Sequence, residues 1–213
     1  MKKIAIIFLC FGLYGCGFKS DGLATLKDLC KKDAGVTIYK TVEVDGYYDT
    51  TGGFDLVVSP YKFYEFCDDS PSASKFNVIP DPGCYRVEKV KRKTSLCHQG
   101  YDDALVKLVV EPYPEFIKNN CIAVTKIEKP VARYSYHSDF KKWKSDNGNA
   151  EYTRSDVYIL DQKTKDILGR YIDYSFNAKP GHTTAKSCDF FDGDYMSFLE
   201  ANLLKSVFKF EEK

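Results

Sequence analysis

Six cysteines constrain this chain more than any other feature. The sequence of 213 residues has eight cysteines. Cys10 and Cys16 fall within the first sixteen residues, and the other six, Cys30, Cys67, Cys84, Cys97, Cys121 and Cys188, are an even number that suits three disulfides. Cysteine ligands for a metal need short spacings such as C-x2-C, and none occurs: among these six the closest pair, Cys84 and Cys97, has twelve residues between. Six cysteines permit fifteen pairings, and the spacing does not choose among them. Each bridge restricts the unfolded chain and adds about 2–4 kcal/mol. Such cross-linking belongs to an oxidising compartment, so the chain needs a way out of the cytoplasm.

The first sixteen residues, MKKIAIIFLCFGLYGC, supply one. Lys2 and Lys3 form a positive n-region, and the apolar run from Ile4 to Tyr14 is shorter than the roughly 20 residues a permanent membrane span requires. The segment reads as an export signal over residues 1–15. Its end, Leu13-Tyr14-Gly15-Cys16, resembles the lipobox of bacterial lipoprotein precursors. Leu13 and Gly15 match the pattern of Leu, small, small, Cys, and the bulky Tyr14 departs from it. The resemblance implies cleavage before Cys16 and a diacylglyceryl group on its sulfur, with residues 16–20 as the lipidated N-terminus and tether. Two acyl chains hold a protein stably on a membrane. Gly17, where an aspartate would retain an enteric lipoprotein at the inner membrane, implies an outer-membrane destination. The competing reading is ordinary cleavage to a soluble periplasmic or secreted form, since Gly15 and Gly17 are small.

Loss of the leader removes two lysines and no acid, so the 31 basic and 30 acidic residues of the whole chain remain close to balance. A near-neutral domain does not coat nucleic acid, and no aromatic RNA-binding signature accompanies the basic run Lys89, Lys91, Arg92 and Lys93. That run reads as a solvated strand edge that resists aggregation.

Residues 21–213 read as one α+β domain. Ser20 or Asp21 can cap a helix over 21–33, where Leu23, Leu26, Leu29 and Cys30 share one face and Gly35 suits the stop. The period then becomes two. Strands are expected in VTIYKTVEV, FDLVVSPYKFYEF (broken at Pro60), YRVEKVKRKT, ALVKLVVE, CIAVTKIE and VARYSYH, with a loop over 68–83. FKKWKSDNGNAEY, within 138–152, reads as a loop with one helical turn. The clearest hairpin is SDVYILD, QKTKD, ILGRYIDYSF, apolar on both faces. Asp192 or Asp194 can cap a final amphipathic helix through Tyr195, Phe198, Leu199, Leu203 and Phe208. Strands that follow one another without helical crossovers favour a mainly antiparallel sheet, with the two terminal helices covering one face.

No motif specifies a reaction. His182 has hydroxyls nearby in NAKPGHTTAKSC, but no G-x-S-x-G elbow supports a triad. Asp189, Asp192 and Asp194 have the oxygen density of a weak calcium site, yet with Gly193 at position six the EF-hand register puts Cys188 and Leu199 at ligand positions; helix capping is the preferred reading. Gly52-Gly53 lacks the Lys-Ser/Thr of a phosphate loop, and no cofactor is expected. The expectation is a lipid-anchored, non-enzymatic module of the cell envelope that binds a protein or another envelope component, an inhibitor or immunity protein being one version. The alternative is a periplasmic hydrolase using His182 and Asp173.

Overall fold

The computed structural model describes residues 21–51, 61–68, 81–97, 118–146, 148–178, 186–188 and 203–209. Helix α1 (Asp21–Asp33) comes first, with the bounds its leucine spacing predicts. It is followed by β1 (Gly35–Ile38), β2 (Val42–Glu43), β3 (Gly46–Asp49), β4 (Phe63–Asp68), β5 (Gly83–Lys91), β6 (Asn120–Ile127), β7 (Tyr134–Lys144), β8 (Glu151–Asp161), β9 (Ile167–Asn177), β10 (Lys186–Ser187) and β11 (Phe208–Lys209). Among the described residues no helix is long and apolar enough to cross a membrane.

One sheet holds nine of these strands in the order β1-β9-β8-β7-β3-β4-β5-β6, with β10 also on β9. It is mostly antiparallel but mixed: β3 runs parallel to both β4 and β7. A separate parallel pair joins β11 to β2. The stretch VTIYKTVEV, expected as one strand, is therefore two. The amides of Tyr39 and Lys40 both donate to the Leu168 carbonyl, at 2.9 and 3.0 Å, where the chain leaves β9 for β11.

The long β7–β8–β9 ladder is the spine of the sheet, each strand 11 residues. β7 runs on through Lys144, across residues expected as a loop. Its polar run keeps the period of two, and Trp143 stacks on Tyr152 of β8 with ring centroids 5.5 Å apart. A cross-strand aromatic pair of this kind stabilises a strand whose composition alone would not. The loop shrinks to a turn in which Ser145 N–H donates to the Ala150 carbonyl at 2.9 Å and Gly148 takes φ 70°. Along β8, Val157 and Ile159 are buried, whereas Tyr158 and Leu160 are half-buried; the hairpin is less two-sided than its sequence suggests.

The two helical pieces lie on opposite faces, not on one. Leu26 of α1 packs with Tyr152, Ile172, Tyr174 and Phe176. Residues 203–207, the described part of the expected final helix, pack with Val157, Ile159 and Tyr171. Ile172 and Tyr171 are adjacent in β9, so their side chains point to opposite sides. Gly169 permits the second contact: a Cβ there would lie 2.4 Å from Val207 Cγ2. Phe208, expected in that helix, forms β11 instead. β5, which carries Lys89 and Lys91, lies between β4 and β6, so the basic run is not at a sheet edge. The segment ALVKLVVE, the run FDLVVS and most of the 68–83 loop lie outside the described residues.

The six cysteines pair as Cys30–Cys188, Cys67–Cys84 and Cys97–Cys121. Cys67 and Cys84 face each other in the β4–β5 register. Cys97 ties the chain beyond β5 to Cys121 in β6. Cys30 ties α1 to Cys188, next to β10.

Candidate functional site

A cleft of about 610 Å³ opens at one end of the β7–β8–β9 ladder, lined by Tyr48, Pro130, Val131, Ala132, Arg133, Gln162 and Lys163. It has two walls, the segment entering β7 and the β8–β9 turn, and a buried carboxylate holds each.

Glu65 holds the first. It lies opposite Arg86 in the β4–β5 register and is 0% exposed. Its Oε2 accepts the backbone N–H groups of Val131 and Ala132 at 2.7 and 2.8 Å. Its Oε1 accepts Arg86 Nε at 2.9 Å and the adjacent NH2 group. A buried carboxylate is tolerable only with such pairing, so the 130–133 segment is fixed by the same contacts that make Glu65 acceptable in the core. Val131 is left pointing outward, 67% exposed.

Asp161 holds the second. Its Oδ1 accepts Lys163 N–H at 2.9 Å and Thr164 N–H at 3.4 Å, which shapes the turn, and Lys165 completes it at φ 65°. Its Oδ2 accepts Arg133 NH2 at 2.8 Å. The hydrogen bond from Arg133 pulls the Asp161 carboxyl below its ordinary value, against the opposing effect of burial. The amide of Gln162 then donates to the Arg133 carbonyl at 2.7 Å, joining the two walls.

A lane of polar contacts leads from the cleft along one face of the sheet. Gln162 Nε2 donates to Ser135 Oγ at 2.6 Å, and Ser135 Oγ lies 2.7 Å from His137 Nε2. The His137 ring stacks on Tyr158 at 4.9 Å, and Tyr158 O–H donates to Asp139 Oδ2 at 3.1 Å. Burial lowers the His137 pKa, with Asp139 and Asp49 pulling weakly the other way. A neutral ring suits the chain of donors, Gln162 to Ser135 to Nε2. Further along, Asp156 pairs with Arg170, Arg154 lies 3.4 Å from Asp156 and 3.3 Å from Asp33 of α1, and Tyr174 O–H donates to Asp33 at 2.8 Å.

The Ser135–His137 pair has the composition of an acyl-transfer dyad, but Ser135 is 0% exposed. Its hydroxyl is a structural link, because a nucleophile must reach a substrate carbon. The sequence signal for this pair is Ser-x-His in a strand, where i and i+2 share a face. Glu65 is signalled by a lone acid inside the aromatic run FYEF, and Asp161 by an acid at a strand end before QKTKD.

Of the residues singled out in the sequence, Asp173 is half-buried and accepts the Cys188 N–H at 3.4 Å, a contact that holds the start of the post-β10 chain. His182, Cys16, Asp189, Asp192 and Asp194 lie outside the described residues. Among the described residues no three acids, histidines or cysteines are placed to hold a metal ion. Compared with protein-family models, curated proteins and solved structures, the chain matches none.

Proposed function

We propose that this chain is a lipid-anchored envelope protein of the outer membrane, tethered through Cys16, whose folded domain is a non-enzymatic module that receives a partner protein in the cleft of Tyr48, Val131 and Arg133. An inhibitor or immunity protein is one form such a module takes. The observation that carries the reading is the pinned 130–133 segment. An exposed apolar side chain beside an arginine, on backbone already fixed by Glu65 and Asp161, loses little freedom on binding. Three disulfides support an oxidising compartment. β7 spans 11 residues between the cleft and the far turn, about 35 Å at roughly 3.3 Å per residue, and α1 enters at that far end. An anchor at Cys16 therefore leaves the cleft facing away from the membrane.

The test joins anchor and cleft. Cys16→Ser should leave an unprocessed, larger precursor. A photo-crosslinking residue at Val131 of the processed protein should capture a discrete partner in envelope preparations, and the same residue at exposed Glu43 should not. Normal processing of Cys16→Ser overturns the anchor. Equal capture from both positions overturns the cleft.

A further inference from the structure

The end of the sheet opposite the cleft carries its own chemistry. The first turn of α1 rests there: Tyr152 O–H donates to the Gly22 carbonyl at 3.4 Å, and a Cβ on Gly22 would lie 2.1 Å from the Phe176 ring. Trp143 stacks on the other side of this cluster, against Tyr152, and is the only tryptophan in the chain. Flanking it in β7, Lys141, Lys142 and Lys144 are all exposed. Lys142 lies 4.0 Å from Glu151, with 65% of its side chain in solvent. Among the described residues, Asp146, exposed in the turn, and Asp21, the first residue of α1, are the other acids at this end. Lys186 of β10, opposite Phe176 and exposed, adds a fourth lysine, so four cations stand against three acids and this end is net positive.

We propose that the β7–β8 hairpin end lies against the membrane, with Lys141, Lys142 and Lys144 at the phosphates of anionic lipid headgroups. This rests on the anchor at Cys16. Four residues lie between Cys16 and Asp21, and the five Cα steps reach at most about 18 Å when fully extended. The hairpin beside the first turn of α1 is thus held near the headgroups, while the cleft, a strand length away, is not. Lysines close to an anionic leaflet are attracted over about a Debye length. Tethering makes that encounter intramolecular, so three lysines suffice to select an orientation that they would not support as a free-standing membrane site.

Trp143 is a built-in reporter. The mature lipidated protein is reconstituted in vesicles of zwitterionic lipid, or of zwitterionic lipid with an anionic phosphatidylglycerol fraction, each carrying headgroup nitroxide quenchers. Trp143 fluorescence should be quenched more strongly in the anionic vesicles, and high salt should remove the difference. Joint reversal, Lys141→Glu, Lys142→Glu and Lys144→Glu, should return quenching to the zwitterionic level. Joint reversal of the exposed Lys40, Lys118 and Lys129 to Glu alters net charge equally and should leave quenching unchanged. A circular-dichroism melt checks that both variants are folded. Protein that floats with both vesicle types but is quenched equally overturns the orientation and leaves the anchor standing. Protein that floats with neither overturns the anchor, and the orientation with it.

Discussion

The two ends of the β7–β8–β9 ladder are built from different forces. At the α1 end, Leu26, Trp143, Tyr152 and Phe176 pack together and Cys30 is bonded to Cys188. At the cleft end, Glu65 and Asp161 each gather backbone amides and an arginine. Aromatic packing and a covalent bond are indifferent to acid. Buried carboxylates set backbone geometry more exactly than packing does, because each hydrogen bond specifies a direction, but they depend on remaining ionised. The packed end and the carboxylate-held end are thus sensitive to different insults.

The hardest blow to this contrast is loss of the Cys30–Cys188 bridge. It spans 158 residues, and the chain-entropy relation gives about 5 kcal/mol for a loop of that size. Cys30→Ser with Cys188→Ser should lower stability in urea titrations by an amount of that order. Native-state hydrogen exchange should accelerate first in α1, with the amides of Val131 and Ala132 the last to respond. Simultaneous loosening of both ends would mean that they are one cooperative unit. Glu65→Gln is the reciprocal change. It leaves Arg86 without its carboxylate and weakens the acceptor for two amides, at a cost of about 3 kcal/mol. Exchange at Val131 and Ala132 should accelerate while α1 stays protected.

Acid should give the smallest effect and sharpen the contrast. The folded Asp161 titrates below its ordinary 3.8, so its contribution is complete above that value and is lost as pH falls through the folded pKa. The folded His137 titrates below 6.5 because burial disfavours its charge. The unfolded chain therefore takes up that proton first, and stability begins to decline as pH drops below 6.5, levelling off beneath the folded value. Denaturation midpoints measured downward from neutral pH should show both steps. His137→Phe should remove the upper one and Asp161→Asn the lower.

What could be read from the sequence follows the range of the interactions. α1 is set by leucines within one turn of each other, and the β8–β9 hairpin by a local turn, so both are legible. β7 beyond His137 is not, because its polar residues are kept in a strand by Tyr152 and its neighbours across the ladder. β3 is too short to announce that it runs parallel to both its neighbours. The cleft is the extreme case. Glu65 binds amides 66 and 67 residues away, and nothing in FYEF says which backbone will complete it.

The Cys30–Cys188 bridge also bears on how the chain is made. The other two bridges, 67–84 and 97–121, lie nested between its cysteines. A chain threading N-terminus first into an oxidising space delivers Cys30 ahead of four cysteines that are not its partner. Oxidation in order of arrival joins Cys30 to Cys67, which is wrong and also deprives Cys84. Reaching the native set then needs thiolate attack on the misplaced bond and exchange through a mixed disulfide. Correct assembly depends on either delaying the first thiol until the end of synthesis or having a reshuffling thiol at hand. A host that supplies a strong oxidant and no isomerase should accumulate this protein cross-linked in the order it emerged.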